Sequence, residues 1–209
     1  MKMKIKDAME VIGSLSKPSK MPGFSFGLNP NLCNQGNILS KIEGSVCNKC
    51  YAKKGFYNVY KKQMAETWAK RLNGVNNILF ESAMITLIQK KSPDYFRWHD
   101  AGDLQNMEHL KKIVRIARAL PNTKFWMPTK EVNLIRSYNK TYGDFPSNLV
   151  VRVSGFMVDK GASKGFKNTS TVTTNKTLAT CRAFENGGKC NNCRACWNPN
   201  VNNIVYLEH

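Results

Sequence analysis

A chain of 209 residues, 42% hydrophobic and 10% aromatic, is sized for one folded domain or one domain with a small appendage, and this composition excludes disorder across its length. The formal charge is +18, from 32 Lys and Arg against 14 Asp and Glu, which points to a polyanionic partner: nucleic acid or a nucleotide. No apolar run approaches the roughly 20 residues that span a bilayer, and no apolar signal core follows the basic start Met1-Lys2-Met3-Lys4, so no membrane is expected and the location expected is cytoplasmic.

Residues 1–22 read as an irregular lead-in, closed by Lys17-Pro18-Ser19-Lys20-Met21-Pro22-Gly23. Phe24 to Leu28 alternates as a short strand. From Tyr57 to Lys91 the apolar residues Met64, Trp68, Leu72 and Val75, then Ile78, Leu79, Met84, Ile85 and Leu87, recur at helical spacing, with a break expected near Asn73-Gly74. Tyr95 to His99 is an aromatic strand. A helix over 107–120 follows, with Leu110, Ile113, Val114, Ile116, Ala117 and Leu120 on one face and Lys111, Lys112, Arg115 and Arg118 on the other. Lys124 to Pro128 is the next strand, then a short helix over 131–139 and a strand from Asn148 to Ser154. After Gly155 the alternation fades, leaving one short strand at Ser170–Thr174, then the second cysteine group and Ile204-Val205-Tyr206. His209 reads as the remnant of a purification tag.

This strand–helix alternation predicts an α/β fold, a partial (β/α) barrel with parallel strands over residues 1–158 and a Cys-rich C-terminal appendage over residues 159–209. In such folds the chemistry gathers at the carboxyl ends of the strands. The polar residues there are His99, Asp100 and Asp103, then Thr129, Lys130 and Glu131, then Arg152 and Ser154. Of these, His99, Asp100, Asp103, Lys130, Glu131 and Arg152 are the expected catalytic residues. Asp103 and Asn106 are also candidate N-caps of the helix that follows.

All seven cysteines fall in two groups. Cys33, Cys47 and Cys50 flank the end of the first strand; Cys181, Cys190, Cys193 and Cys196 lie near the C-terminus. In a reducing compartment, two tight groups with an odd total point to metal ligands rather than disulfides. Three thiolates on a four-iron cluster leave one iron without a protein ligand. Zinc fits the same residues, either closed by His99 or left with a water for hydrolysis. In the second group, the successive two-residue gaps after Cys190 are closer to ferredoxin-type runs than to two separated zinc knuckles. Two [4Fe-4S] clusters are therefore the first expectation and zinc the alternative.

Five motifs carry a resemblance. Met21-Pro22-Gly23-Phe24-Ser25, the stretch from Gly44 through Cys47, Cys50, Tyr51 and Ala52 to Lys54-Gly55, Arg97-Trp98-His99-Asp100 with Gly102-Asp103, Phe125-Trp126 with Pro128, Thr129 and Glu131, and Cys193-Arg194 with Cys196-Trp197 together resemble the phage and plasmid gene product eighty-eight family. More distantly, the layout resembles a shortened radical S-adenosylmethionine enzyme, an oxidoreductase or transferase. That resemblance implies an open-site cluster on Cys33, Cys47 and Cys50, and an auxiliary cluster on Cys181, Cys190, Cys193 and Cys196. It places S-adenosylmethionine against Tyr51, Ala101, Gly102, Asp103, Thr129 and Ser154. The chain departs from the pattern in the thirteen residues between Cys33 and Cys47, and in having Ala101-Gly102-Asp103 where those enzymes carry Gly-Gly-Glu. The function expected is an iron–sulfur enzyme acting on nucleic acid or a nucleotide. The alternative is a zinc-binding, non-enzymatic DNA- or RNA-binding phage protein.

Overall fold

Short runs of alternating apolar residues, the first three each followed by helix, set up an all-parallel sheet. The computed structural model describes residues 3–53 and 61–208. The expected helix start at Tyr57, the Lys54-Gly55 end of the first cysteine motif, Met1-Lys2 and His209 lie outside them. Six strands lie side by side in chain order: β1 (Phe24–Phe26), β2 (Tyr95–Trp98), β3 (Lys124–Thr129), β4 (Leu149–Ser154), β5 (Thr169–Thr173) and β6 (Asn203–Leu207). Every neighbouring pair is parallel and the sheet does not close. It is a partial (β/α) barrel. Residues 159–208 supply its last two strands.

The helices are α1 (Ile5–Ile12), α2 (Asn34–Leu39), α3 (Lys61–Asn76), α4 (Phe80–Lys91), α5 (Met107–Ala119) and α6 (Val132–Tyr142), and all but α2 contribute to the core on one face of the sheet. Because successive strand side chains point to opposite faces, Phe26, Phe96, Trp98, Phe125, Met127, Leu149, Val151 and Val153 all enter the core beneath the helices. The expected helix over 57–91 is two helices, and its break falls at Asn77–Leu79, a few residues beyond Gly74. Asn77 makes that break, its side chain accepting from the Leu79 N–H at 2.8 Å. The expected irregular lead-in contains α1, whose Ala8 and Ile12 are wholly buried against the other helices. Lysines alternating with the first apolar residues hid its apolar stripe, Ile5, Ala8, Met9 and Ile12.

The opposite, inner face carries the other parity: Ser25, Arg97, Trp126 and Val150 in one register row, and Pro128 beside Arg152 in the next. The segment around Cys190–Asn198 lies across this face. The Trp197 indole N–H donates to the Phe96 carbonyl at 2.9 Å, and its ring meets Trp126 and Tyr95 edge-on at 5.2 and 5.5 Å.

Candidate metal centre

Two loops bring the first three cysteines together at the carboxyl ends of the strands. After β1, Asn29 caps a tight turn by accepting from the Asn31 N–H, and Cys33 ends that turn and begins α2. The second loop carries Cys47 and Cys50. Its fold rests on Ser45, whose hydroxyl donates to the Leu39 carbonyl and accepts from the Asn48 N–H. The loop is stapled to the residues after β4: Val46 N–H donates to the Phe156 carbonyl at 2.9 Å, and Val158 N–H to the Gly44 carbonyl at 3.0 Å. Behind it, Cys50 and Ala52 pack with Met64 and Trp68 of α3 and with Ala101.

Gly36 opens the space between the thiols. A Cβ there would sit 2.8 Å from Cys33 Cβ, 3.6 Å from Cys33 Sγ and 3.7 Å from Cys47 Sγ. The two sulfurs thus both border the space beside Gly36. Burial pushes the Cys33 thiol up to about 12, and Asp103, Cys50 and Cys47 push the same way against Lys53. Burial raises Cys47 too, against Lys130. Mutual proximity of three thiols, one carboxylate and two lysines is what these influences register.

Asp103 ties the site to β3. Its Oδ1 accepts from the Leu104 N–H and the Thr129 hydroxyl at 2.7 and 2.6 Å, and its Oδ2 accepts from the Lys130 N–H at 2.8 Å. Glu131 accepts from the Gln35 N–H at 2.9 Å, holding the first turn of α2. Lys130 Nζ donates to the Gly155 carbonyl at 3.2 Å. Tyr51 donates its hydroxyl to the Asp100 carbonyl. Asp103, Thr129, Lys130, Glu131 and Tyr51 therefore surround the first cysteine group. Ala101 and Gly102 lie in the turn that receives the chain after β1, where the Ala101 carbonyl accepts from the Leu28 N–H at 2.8 Å. Ser154 faces Ser170 on the inner side at 3.2 Å.

Two residues read as pocket-lining lie elsewhere. His99 is 3% exposed, with its ring edge-on to His109 of α5 at 5.5 Å. Burial holds it well below the ordinary histidine range, and His109 and Arg97 add to this. Arg152 is wholly buried. It donates to the carbonyls of Thr169, Ala195, Cys196, Asn198 and Val201, so it organises the second cysteine segment. Asn106, not Asp103, caps α5, accepting from the His109 N–H at 2.9 Å. On the basic face of that helix, Arg115 pairs with Glu81 and Glu108, and Lys112 donates to the Val75 and Asn77 carbonyls.

The second group gathers at the inner face beside β6. Cys181 N–H donates to the Val205 carbonyl at 3.0 Å, and Cys190 N–H to the Lys20 carbonyl at 2.7 Å. Burial raises the Cys190 thiol, with Cys181 and Cys193 adding to it and Arg194 and Arg97 opposing. Cys196 is pushed up to about 11 by burial, against a 3.2 Å contact with the Tyr206 hydroxyl. Cys190 is thus close to Cys181 and Cys193, and Cys196 to Cys181. Among the described residues, no three His, Cys, Asp or Glu side chains stand as a ready-made ligand set for a metal ion.

Sequence reasoning passed over Gly36, Lys53, Tyr206 and Arg97. Arg97 was visible: a lone charge in Tyr95-Phe96-Arg97-Trp98 means that one face of the strand is polar. Gly36 carried no signal, because its role appears only once α2 is placed against Cys33.

An open parallel sheet, with three thiols at the carboxyl ends of its strands and four more on its inner face, defines a cysteine-rich α/β protein. The chain belongs to the gene product 88 family, whose model matches residues 3–199. That span contains both cysteine groups and every strand except β6. No curated protein and no solved structure matches the chain, and no comparison supports the more distant resemblance to radical S-adenosylmethionine enzymes. Among the described residues, no helix is long and apolar enough to cross a membrane.

Proposed function

We propose that this chain is an iron–sulfur protein, with an open-site cluster held by Cys33, Cys47 and Cys50 and a second cluster held by Cys181, Cys190, Cys193 and Cys196. The observation that carries the reading is the space beside Gly36, which two thiols border and which the third lies close to. The donor set fits, because thiolates are the ligands iron–sulfur clusters take. Loading requires the sulfurs to close in and shed their protons. A cluster with one iron lacking a protein ligand supplies an open coordination position and one-electron chemistry.

The protein's own residues would do the following. Lys53 and Lys130 offset the thiolate charge. Asp103 fixes the backbone of Lys130, and Glu131 fixes the turn that carries Cys33. The net charge of +18 supports a nucleic acid or nucleotide as substrate. Asp103, the carboxylate that would receive the amine of S-adenosylmethionine, already accepts three hydrogen bonds.

The test is iron, sulfide and zinc content with the visible and electron paramagnetic resonance spectra, on protein purified without oxygen. About eight irons and eight sulfides per chain are expected for two cubane clusters. Cys47→Ala should lose one signal and Cys193→Ala the other. Colourless protein containing zinc would overturn the reading in favour of a zinc-held nucleic-acid binder.

A further inference from the structure

We propose that the inner face of the sheet carries a binding site for a small oxyanion, a carboxylate or phosphate group, made by Ser25, Arg97 and Trp126. These residues stand side by side on β1, β2 and β3: Ser25 pairs in register with Arg97, and Arg97 with Trp126. Neighbouring parallel strands lie about 4.8 Å apart, so the three side chains leave one face at one level. Ser25 is wholly buried and Trp126 is 7% exposed.

Each carries a buried polar atom with no hydrogen-bond partner: Ser25 Oγ, Arg97 Nε and Trp126 Nε1. Buried polar atoms are nearly always paired, and three orphans in one row call for something that pairs them. The other orphans do not belong to this row. Trp98 lies in the helix-side core, and Asp100 Oδ1 packs against Gly27 beyond the strand end.

The chemistry of the row selects an anion. An indole N–H and a guanidinium N–H only donate, and a hydroxyl can donate. The guanidinium is already aimed. It lies 4.5 Å over the Trp126 ring, and its Nη2 donates to the Tyr51 hydroxyl at 3.3 Å and the His99 carbonyl at 3.4 Å. Among the described residues no carboxylate pairs with it. Only Arg97 of the three keeps part of its side chain exposed, so the row meets solvent through Arg97.

The experiment is a titration of tryptophan fluorescence in the full chain with sodium phosphate and, separately, sodium acetate, at ionic strength held constant with sodium chloride. A saturable change is expected with at least one of them. Phosphate alone would assign a phosphate-bearing ligand, and acetate alone a carboxylate. Arg97→Met should abolish the response, and Ser25→Ala should weaken it by about tenfold, the scale of one hydrogen bond to a charged group. If Arg97→Met fails to fold by circular dichroism, Ser25→Ala and Trp126→Phe decide. A response that never saturates, or one unchanged in Ser25→Ala, would overturn the site and leave water as the partner of these atoms.

Discussion

At the scale of single residues, two positions set sharp expectations. Gly36 is the first. Gly36→Val fills the space between Cys33 and Cys47, and its Cβ also collides with Cys33 Cβ. The expected outcome is loss of metal from the first group with the second group's content kept, measured as iron per chain on anaerobically purified protein. His109 is the second. Its Nδ1 accepts from the Gln105 N–H at 3.4 Å, and burial, helped by Lys112, lowers its pKa from 6.5 to about 3. The unfolded chain therefore takes up a proton between pH 6.5 and 3 that the folded chain refuses, so stability is full above pH 6.5 and falls on acidification. The slope is about 1.4 kcal/mol per pH unit for each such histidine, and His99 acts in the same direction. His109→Phe should roughly halve the acid slope in urea unfolding measured from pH 7 to 5.

At the scale of elements, Arg152 is the pin that fastens the second cysteine segment. Arg152→Met removes five hydrogen bonds to carbonyls, of which those of Ala195, Asn198 and Val201 keep a second donor, and a cost of roughly 3–4 kcal/mol is expected in urea unfolding. A shift in Trp197 fluorescence should accompany it, because the Ala195, Cys196 and Asn198 carbonyls flank that ring. The same residue shows what a sequence conceals. An arginine within a run of valines reads equally well as a pocket cation or a structural one, and only the carbonyls brought from 43 to 49 residues away decide. The strands were legible because their period-2 pattern is local. So were α5 and α6, whose apolar positions repeat at helical spacing. The first helix was not, since its short apolar stripe is interleaved with lysines and gains meaning only against the neighbours that bury Ala8 and Ile12. At the candidate site, the cysteines, Asp103 and the Thr129–Glu131 stretch were legible from their place at strand ends. Arg97, Ser25 and Trp126 depend on register between strands about 30 to 70 residues apart, which no local pattern records.

At the scale of the molecule, charge dominates. Among the described residues Lys49, Arg115 and Arg182 form ion pairs with carboxylates, while the chain carries 32 cations against 14 carboxylates. Binding to a duplex oligonucleotide, followed by fluorescence anisotropy, should fall steeply between 50 and 200 mM salt, by about a hundredfold or more if at least five phosphates are contacted. A flat salt dependence would remove nucleic acid from the proposal and leave a nucleotide or other small substrate.

Because the strands lie in the sheet in the order they occur in the chain, the protein can be built in the direction it is synthesised. Each new strand finds its partner already in place, and the first cysteine group has its backbone staples once Val158 has emerged, with only the Lys49–Glu208 ion pair still to come. The second group has no such head start. Arg152 leaves the ribosome before Ala195, Cys196, Asn198 and Val201, the carbonyls that will receive it, so its guanidinium waits in water on the uncovered inner face. A nascent chain therefore acquires its two cysteine groups in a fixed order, and the second docks only when the last residues arrive.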